Sequence, residues 1–107
     1  MAKYLVSVSY TDEGARGVRK DGGTKREHAA RMAAESLGGK LEAFYFAFGE
    51  HDAFVIVDFP DAITVAALSV AIASTGAARC RTTPLLTPAD LDKAVAKNTA
   101  YRAPGND

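Results

Sequence analysis

Apolar and polar residues alternate with a period of two at the start of the chain, over residues 3–10. This alternation, with its β-branched and aromatic members, is typical of a strand. Similar runs rich in aromatic and β-branched residues predict further strands over residues 40–48, 51–59 and 78–86. Gly49-Glu50 lies between the second and third runs, which predicts a β-hairpin with a tight turn. Pro84 cannot donate a ladder hydrogen bond and therefore favours an edge position for the last strand.

Helix-start signals occupy the segments between these strands. Thr24 with Glu27 three residues later has the spacing of a capping box. Thr87 followed by Pro88 has the pattern of an N-cap with proline at the first helical position. The predicted helices span residues 13–20, 24–37, 61–75 and 88–97, followed by a loose tail at 98–107.

The predicted order is βαββαβ with an additional C-terminal helix, and 107 residues correspond to one domain. The simplest fold of this order is α+β, a ferredoxin-like antiparallel sheet with the helices on one face. In that topology the first and third strands are central and the other two are edges. We therefore predict a single domain over residues 1–97 and a flexible tail over 98–107.

The second and third strands are apolar on both faces, which is unusual for a sheet covered on one side only. Strand alternation divides the second strand into two sets, Leu41, Ala43, Tyr45 and Ala47 against Phe44, Phe46 and Phe48. It divides the third into Ala53, Val55 and Val57 against Phe54 and Ile56. The helices cover one face, and the other would form a larger apolar patch than monomers normally expose. We therefore expect a homo-oligomer, at least a dimer; the alternative is a C-terminal segment folded back over the open face.

Charge and cysteine content restrict the partners and the compartment. Thirteen Lys+Arg balance thirteen Asp+Glu, so the zero net charge disfavours nucleic acid and anionic membranes as partners. Cys80 is the only cysteine, so no disulfide forms within the chain. With no signal peptide visible and the longest apolar stretch too short to span a bilayer, we expect a cytoplasmic protein.

Three segments of the chain resemble the GYD domain family, small bacterial proteins named for a Gly-Tyr-Asp signature at the hairpin. They are residues 39–61 (GKLEAFYFAFGEHDAFVIVDFPD), 79–91 (RCRTTPLLTPADL) and 3–23 (KYLVSVSYTDEGARGVRKDGG). The likeness covers residues 1–95. It implies the dimeric α/β-barrel type of the ferredoxin-like fold, in agreement with the apolar second face, and it implies no particular chemistry.

The signature itself is altered in this chain. Gly49 and Asp52 match it, Glu50 is inserted, and His51 occupies the tyrosine position. Histidine titrates near neutrality and a carboxylate can orient it, so His51 and Asp52 are candidate catalytic residues. The resemblance adds that related dimeric α/β-barrel families use a His and an Asp near one sheet end. Neighbouring strand residues point to opposite faces, however, so a dyad within one chain would require a bulge.

Two arginines in the last strand form the second candidate site. Arg79 and Arg81 share one strand face, and two guanidinium groups can hold a carboxylate or phosphate. Thr83, Ser7 and Ser9 are expected on the same face. The alternative is an exposed salt bridge, or one at a subunit interface, with Glu42 or Asp58 as the candidate acidic partner.

Other polar residues are less informative. Cys80 is expected in the core beneath the helices, and His28 on an exposed helix surface. The loop at 21–25 lacks the spacing of a phosphate-binding loop. Histidine and cysteine are scattered without ligand spacing, so no metal and no cofactor is expected.

Three functions remain open at this stage. The first is an oligomeric protein that binds a small anionic or aromatic ligand in a cavity between the sheet and a partner subunit. Its predicted ligand-binding residues are Arg79, Arg81, Ser7, Ser9, Tyr10, Tyr45 and Phe46. The second is a small cofactor-free enzyme of the monooxygenase, isomerase or lyase type, with His51 as general base. The third is a purely structural self-assembling module.

Overall fold

The computed structural model describes residues 1–106 as one open sheet with helices on one face; Asp107, the end of the predicted tail, lies outside the described residues. The elements follow the predicted βαββαβ order with an additional helix in the first crossover and another at the end. The strands are β1 (Ala2–Tyr10), β2 (Lys40–Phe46), β3 (Ala53–Phe59) and β4 (Ala78–Leu85). The helices are α1 (Asp12–Asp21), α2 (Gly23–Ser36), α3 (Ala62–Ser74) and α4 (Pro88–Val95).

The strands lie in the order β2-β3-β1-β4, and each neighbouring pair is antiparallel. β1 and β3 are therefore central, and the predicted α+β ferredoxin-like fold is confirmed. Val6 lies opposite Val55 on one side and Thr82 on the other, which sets the register of the three strands. β4 is an edge strand, as Pro84 in the sequence indicates.

The core lies between the sheet and the helices. β3 alternates between buried and half-buried residues along its whole length, so one of its faces is in the core. The core residues are Tyr4, Val6 and Val8 of β1, Leu41 of β2, Ala53, Val55, Val57 and Phe59 of β3, with Ala34, Val65 and Ala78. Within residues 1–106, no helix packs on the opposite face, because α2 contacts β2 and α3 contacts β3 and β4 on the core side.

A β-bulge in β2 changes which of its residues share a face. The register against β3 shifts between Leu41 and Ala43. Leu41 is buried in the core, on the same face as Phe44 and Phe46, whereas Ala43 and Tyr45 lie on the open face. The prediction that Leu41 shares a face with Ala43 and Tyr45 is therefore wrong. An inserted residue reverses the alternation, which the periodicity alone does not reveal.

The hairpin loop is longer than the predicted two-residue turn. β2 ends at Phe46 and β3 begins at Ala53, so Phe48 lies in the loop and is fully exposed. The Ala47 N–H donates to the Asp52 carbonyl at 2.8 Å, and the Asp52 N–H donates to the Val8 carbonyl at 2.8 Å. The first bond closes the loop on itself, and the second attaches it to the end of β1.

The N-cap predicted at Thr87 is confirmed, whereas the one predicted at Thr24 is not. Asp61 caps α3 by accepting from the Thr64 N–H at 2.8 Å. Thr87 and Asp90 form a reciprocal capping box at the start of α4. The capping box predicted at Thr24 is wrong, because α2 already begins at Gly23. Its N-cap, Gly22, has a φ of 81°, which glycine adopts without steric cost.

The C-terminal arm, residues 86–106, projects from the sheet. α4 scarcely touches any other element, and the Cα radius of gyration is 17.1 Å, where a compact domain of this length has about 13 Å. Three apolar side chains of the arm, Leu91, Val95 and Tyr101, are 54%, 74% and 76% exposed. The alternative in which the C-terminal segment covers the open face of its own sheet is wrong.

Candidate functional site

The open face of β1 and β4 brings four predicted residues together. Ser7 lies opposite Arg81 and Ser9 opposite Arg79 in the antiparallel register, so the four side chains share one face, as strand alternation predicts. Together with two hairpin-loop residues they line a shallow cavity of about 260 Å³. The loop residues are Glu50 and His51.

The guanidinium groups of this cavity have no ion pair within residues 1–106. The acidic residues suggested as their partners bind Lys3 instead, whose Nζ lies 2.7 Å from Glu42 Oε1 and 3.2 Å from Asp58 Oδ2. Within the single chain, the salt bridge from Arg79 or Arg81 to Glu42 or Asp58 is therefore wrong, and a salt bridge across a subunit interface stays a prediction. Two positive groups face one carboxylate, Glu50, in the cavity, and this excess of positive charge favours an anionic occupant.

His51 faces this cavity from the hairpin loop. Its Nδ1 lies 3.4 Å from Ser9 Oγ, at the limit of a hydrogen bond. Its ring stands edge-on to the ring of Phe54, with centroids 5.6 Å apart. These two contacts, one polar and one aromatic, orient the imidazole over the open face beside the serines.

Asp52 lies away from His51. Its Oδ2 accepts a hydrogen bond from the Tyr10 N–H at 2.8 Å, beyond the last ladder pair of β1 with β3. In the described part of the chain no hydrogen bond joins His51 and Asp52. The two candidate catalytic residues therefore do not form a dyad, and the carboxylate is committed to the backbone of β1.

The remaining predicted binding residues are divided between the faces. Tyr45 lies on the open face opposite Phe54 and is 71% exposed. Tyr10 and Phe46 lie on the helix side, so the prediction that they line the open-face cavity is wrong. Burial raises the pKa of Tyr10, while the nearby Arg26 guanidinium lowers it in part. Phe46 packs on Phe44, with ring centroids 5.0 Å apart.

Sequence reasoning missed Glu50, although its position beside His51 in the loop was the signal that would have found it. Cys80 packs against the core beneath the helices, as predicted, and burial raises the pKa of its thiol. Among the described residues, His, Cys, Asp and Glu form no group of three or more suited to a metal ion. No helix in this part of the chain has the length and apolar character needed to cross a membrane.

The family model of the GYD domain matches residues 4–95. The chain belongs to the GYD domain family. No curated protein and no solved structure matches it.

The altered signature of this GYD domain lies in the hairpin loop at the edge of the cavity. A Cβ at Gly49 would meet none of the described atoms within 4 Å, His51 faces the cavity, and Asp52 holds the loop against β1. The signature segment therefore has two structural consequences here: it places an imidazole on the open face and it anchors the loop that carries it.

Proposed function

We propose that this GYD domain is a homo-oligomer that binds a small anion, a carboxylate or phosphate, between its open sheet face and a partner subunit. The observation that carries the proposal is the pair Arg79 and Arg81, which lie side by side on one face without an ion pair in residues 1–106. A paired guanidinium site is suited to bidentate recognition of oxyanions.

The floor of the cavity supports the same chemistry. Ser7 and Ser9 have small side chains, which leave room above the strand, and their hydroxyl groups can donate to an anion. His51 adds a ring N–H at the side. A volume of about 260 Å³ suits a compact ligand such as inorganic phosphate or a short dicarboxylate.

The open face also supports self-association. Its apolar residues are half-buried or exposed in the single chain, and they are Leu5, Ala43, Tyr45, Phe54 and Ile56. Burial of a large apolar side chain contributes about 1.5–3 kcal/mol, so a second copy packed on this face would gain enough to offset the cost of association.

The C-terminal arm supplies the additional contact area that a stable dimer needs. A face of four strands with this length spans about 500 Å² by the usual strand spacing and rise, whereas a standard interface buries about 800 Å² per partner. The arm carries Leu91 and Val95 on one side of α4, one helical turn apart and exposed. We include it in the proposed interface, packed against the partner subunit.

Titration with inorganic phosphate and with malonate, followed by amide chemical shifts, tests anion binding. The Arg79→Gln/Arg81→Gln double variant should bind at least about tenfold more weakly, because each hydrogen bond to a charged group contributes roughly 1.5–3 kcal/mol. The matched control is Arg16→Gln/Arg19→Gln, which removes two exposed arginines of α1 and should bind as the wild type does. Equal losses in both double variants would show that only net charge matters and would refute a site.

Light scattering over a range of concentrations tests the oligomer. The wild-type protein should have the mass of a dimer or a larger species, and Ile56→Lys should shift it to monomer. Ile63→Lys serves as the control, because Ile63 is 82% exposed on α3, away from the open face. If the wild-type protein were a monomer, the proposed homo-oligomer would be refuted. Anion binding would then have to be assigned to the single chain.

A second candidate function, a cofactor-free enzyme with His51 as general base, rests on the position of the imidazole in the same cavity. If His51 removes a proton from carbon, malonate in heavy water should exchange its methylene hydrogens for deuterium faster with the protein than without it. His51→Gln should abolish that acceleration while phosphate binding persists. If the wild-type protein does not accelerate this exchange, the role of His51 as general base is refuted. Anion binding is then the only function proposed for the site.

A further inference from the structure

A second cavity lies on the opposite side of the sheet, between α2 and α3. These two helices scarcely touch each other, so the sheet beneath them is not fully covered. The gap has a volume of about 150 Å³. We call it the helix-side cleft.

The lining of the helix-side cleft is almost entirely apolar. Its floor is formed by valines of β1 and β3, and its α2 wall consists of small residues, Ala29, Ala30 and Ala33. Leu68 and Ile72 form the α3 wall. An apolar cavity of about 150 Å³ is large enough to hold one benzene ring.

Two polar side chains, Tyr10 and Arg26, also line this otherwise apolar cleft. Tyr10 is the last residue of β1, and Arg26 lies in the first turn of α2. The Arg26 guanidinium lies close to the Tyr10 hydroxyl and lowers its pKa, against the larger effect of burial, which raises it. The ion pair that Arg26 makes in the described residues is long, 3.8 Å to Asp21 Oδ2, so its charge is available to a ligand.

We propose that the helix-side cleft binds a single-ring aromatic carboxylic acid. The ring lies between the valines of the sheet and the alanines of α2, and the carboxylate is bound by the Arg26 guanidinium with the Tyr10 hydroxyl as a second donor. An apolar pocket with a few convergent polar groups is the usual architecture of a small-molecule site. This site is independent of the proposed open-face function, because the sheet separates the two cavities.

The choice of an aromatic acid follows from both parts of the cleft. A flat ring matches the space between a sheet and a wall of alanines, where a branched side chain in place of alanine would fill the gap. A carboxylate matches a planar guanidinium bidentately. A neutral ring would gain the apolar contacts but would leave Arg26 without a ligand partner, so the acid should bind more tightly than the hydrocarbon.

Titration of the full chain with benzoate and with toluene, followed by amide chemical shifts, tests the proposal. Benzoate should shift the amides of Ala29, Ala33 and Tyr10. Arg26→Gln should weaken the affinity for benzoate by about tenfold or more. The affinity for toluene should change by less than about twofold. Lys25→Gln is the matched control, since it removes a neighbouring exposed charge of α2 and should leave both affinities unchanged.

A second test fills the helix-side cleft with a larger side chain. Ala30→Leu, or Ala33→Leu if the first variant does not fold, should abolish binding of both probes without lowering the thermal midpoint. In the Arg79→Gln/Arg81→Gln variant, benzoate should still shift the amide signals of the cleft residues. This result distinguishes the cleft from the open-face site. Benzoate shifts confined to the open face, or binding unaffected by Arg26→Gln and by the filled cleft, would overturn the proposal.

Discussion

The Asp52 carboxylate accepts a hydrogen bond from the Tyr10 backbone N–H, 2.8 Å away, where β1 extends beyond its ladder with β3. The Asp52 N–H in turn donates to the Val8 carbonyl. Through these two bonds the hairpin loop is attached to a central strand, and His51 is thereby placed over the open face. The aspartate that matches the family signature has a structural task in this chain.

Replacing Asp52 tests that task. Asp52→Ala should lower the free energy of unfolding by about 1.5–3 kcal/mol, because a hydrogen bond from the backbone to a charged group is lost. Asp52→Asn keeps an acceptor oxygen and should lose less. Urea unfolding of the three proteins provides the comparison. An Asp52→Ala protein as stable as the wild type would show that the bond contributes nothing and would return Asp52 to the candidate catalytic residues.

Two glycines of α1 should respond in opposite directions to the same change. A Cβ on Gly14 would overlap the Ala77 carbonyl oxygen, which is backbone and cannot move aside cheaply. Gly14→Ala should therefore destabilise the protein by about 1–3 kcal/mol. A Cβ on Gly17 meets no atom within 4 Å, so Gly17→Ala should stabilise it by up to about 1 kcal/mol through helix propensity. Chemical unfolding measures both, and equal effects would contradict the close approach of α1 to Ala77.

The cap of α3 should make stability depend on acid pH. The Thr64 hydroxyl, followed by the Thr64 N–H, holds the pKa of Asp61 below its ordinary value. A carboxyl whose pKa is lower in the folded state stabilises the fold above its unfolded pKa, and this contribution is lost as pH falls through the folded pKa.

Asp61→Ala should accordingly have a lower thermal midpoint than the wild type at neutral pH. The difference should shrink as the pH is lowered through the acid range, because the wild-type cap is then protonated. Thermal scans at several pH values measure it, with Asp61→Asn as a cap that does not titrate. A difference that stays constant down to the lowest pH would contradict the charged cap.

Burial of Cys80 predicts slow thiol chemistry in the folded protein. Desolvation raises the pKa of the thiol, which lowers the fraction of reactive thiolate at neutral pH. Alkylation by iodoacetamide should therefore be slower in the native protein than in urea, and it should accelerate as pH rises. Rapid native alkylation at neutral pH would place this side chain outside the core.

Much of the architecture could be predicted from local patterns. The alternation in residues 3–10 and 78–86 predicts the faces of β1 and β4, and these strands pair without irregularity, so Ser7, Ser9, Arg79 and Arg81 meet as expected. The N-cap predicted at Thr87 acts within three residues, and short-range hydrogen bonds of this kind are readable from sequence.

Two of the errors share one physical origin, which is that contacts distant in sequence overrode a local pattern. The bulge in β2 exists only relative to β3, and it moved Leu41 to the core face. The salt bridges were assigned by charge alone, whereas Lys3 lies between Glu42 and Asp58 in the folded sheet and binds both.

The sequence by itself determined the element order and the amphipathic division of β1 and β4, because these depend on periodicity and on near neighbours along the chain. The antiparallel topology followed as the simplest fold of that element order. Only the tertiary structure decided that Tyr10 and Phe46 lie on the helix side of the sheet. It also decided that a cleft separates α2 from α3 above the valines of β1 and β3, and that the C-terminal arm extends away from the sheet. Each of these depends on how separate elements pack against one another, and packing geometry is a property of pairs of surfaces that no single segment encodes.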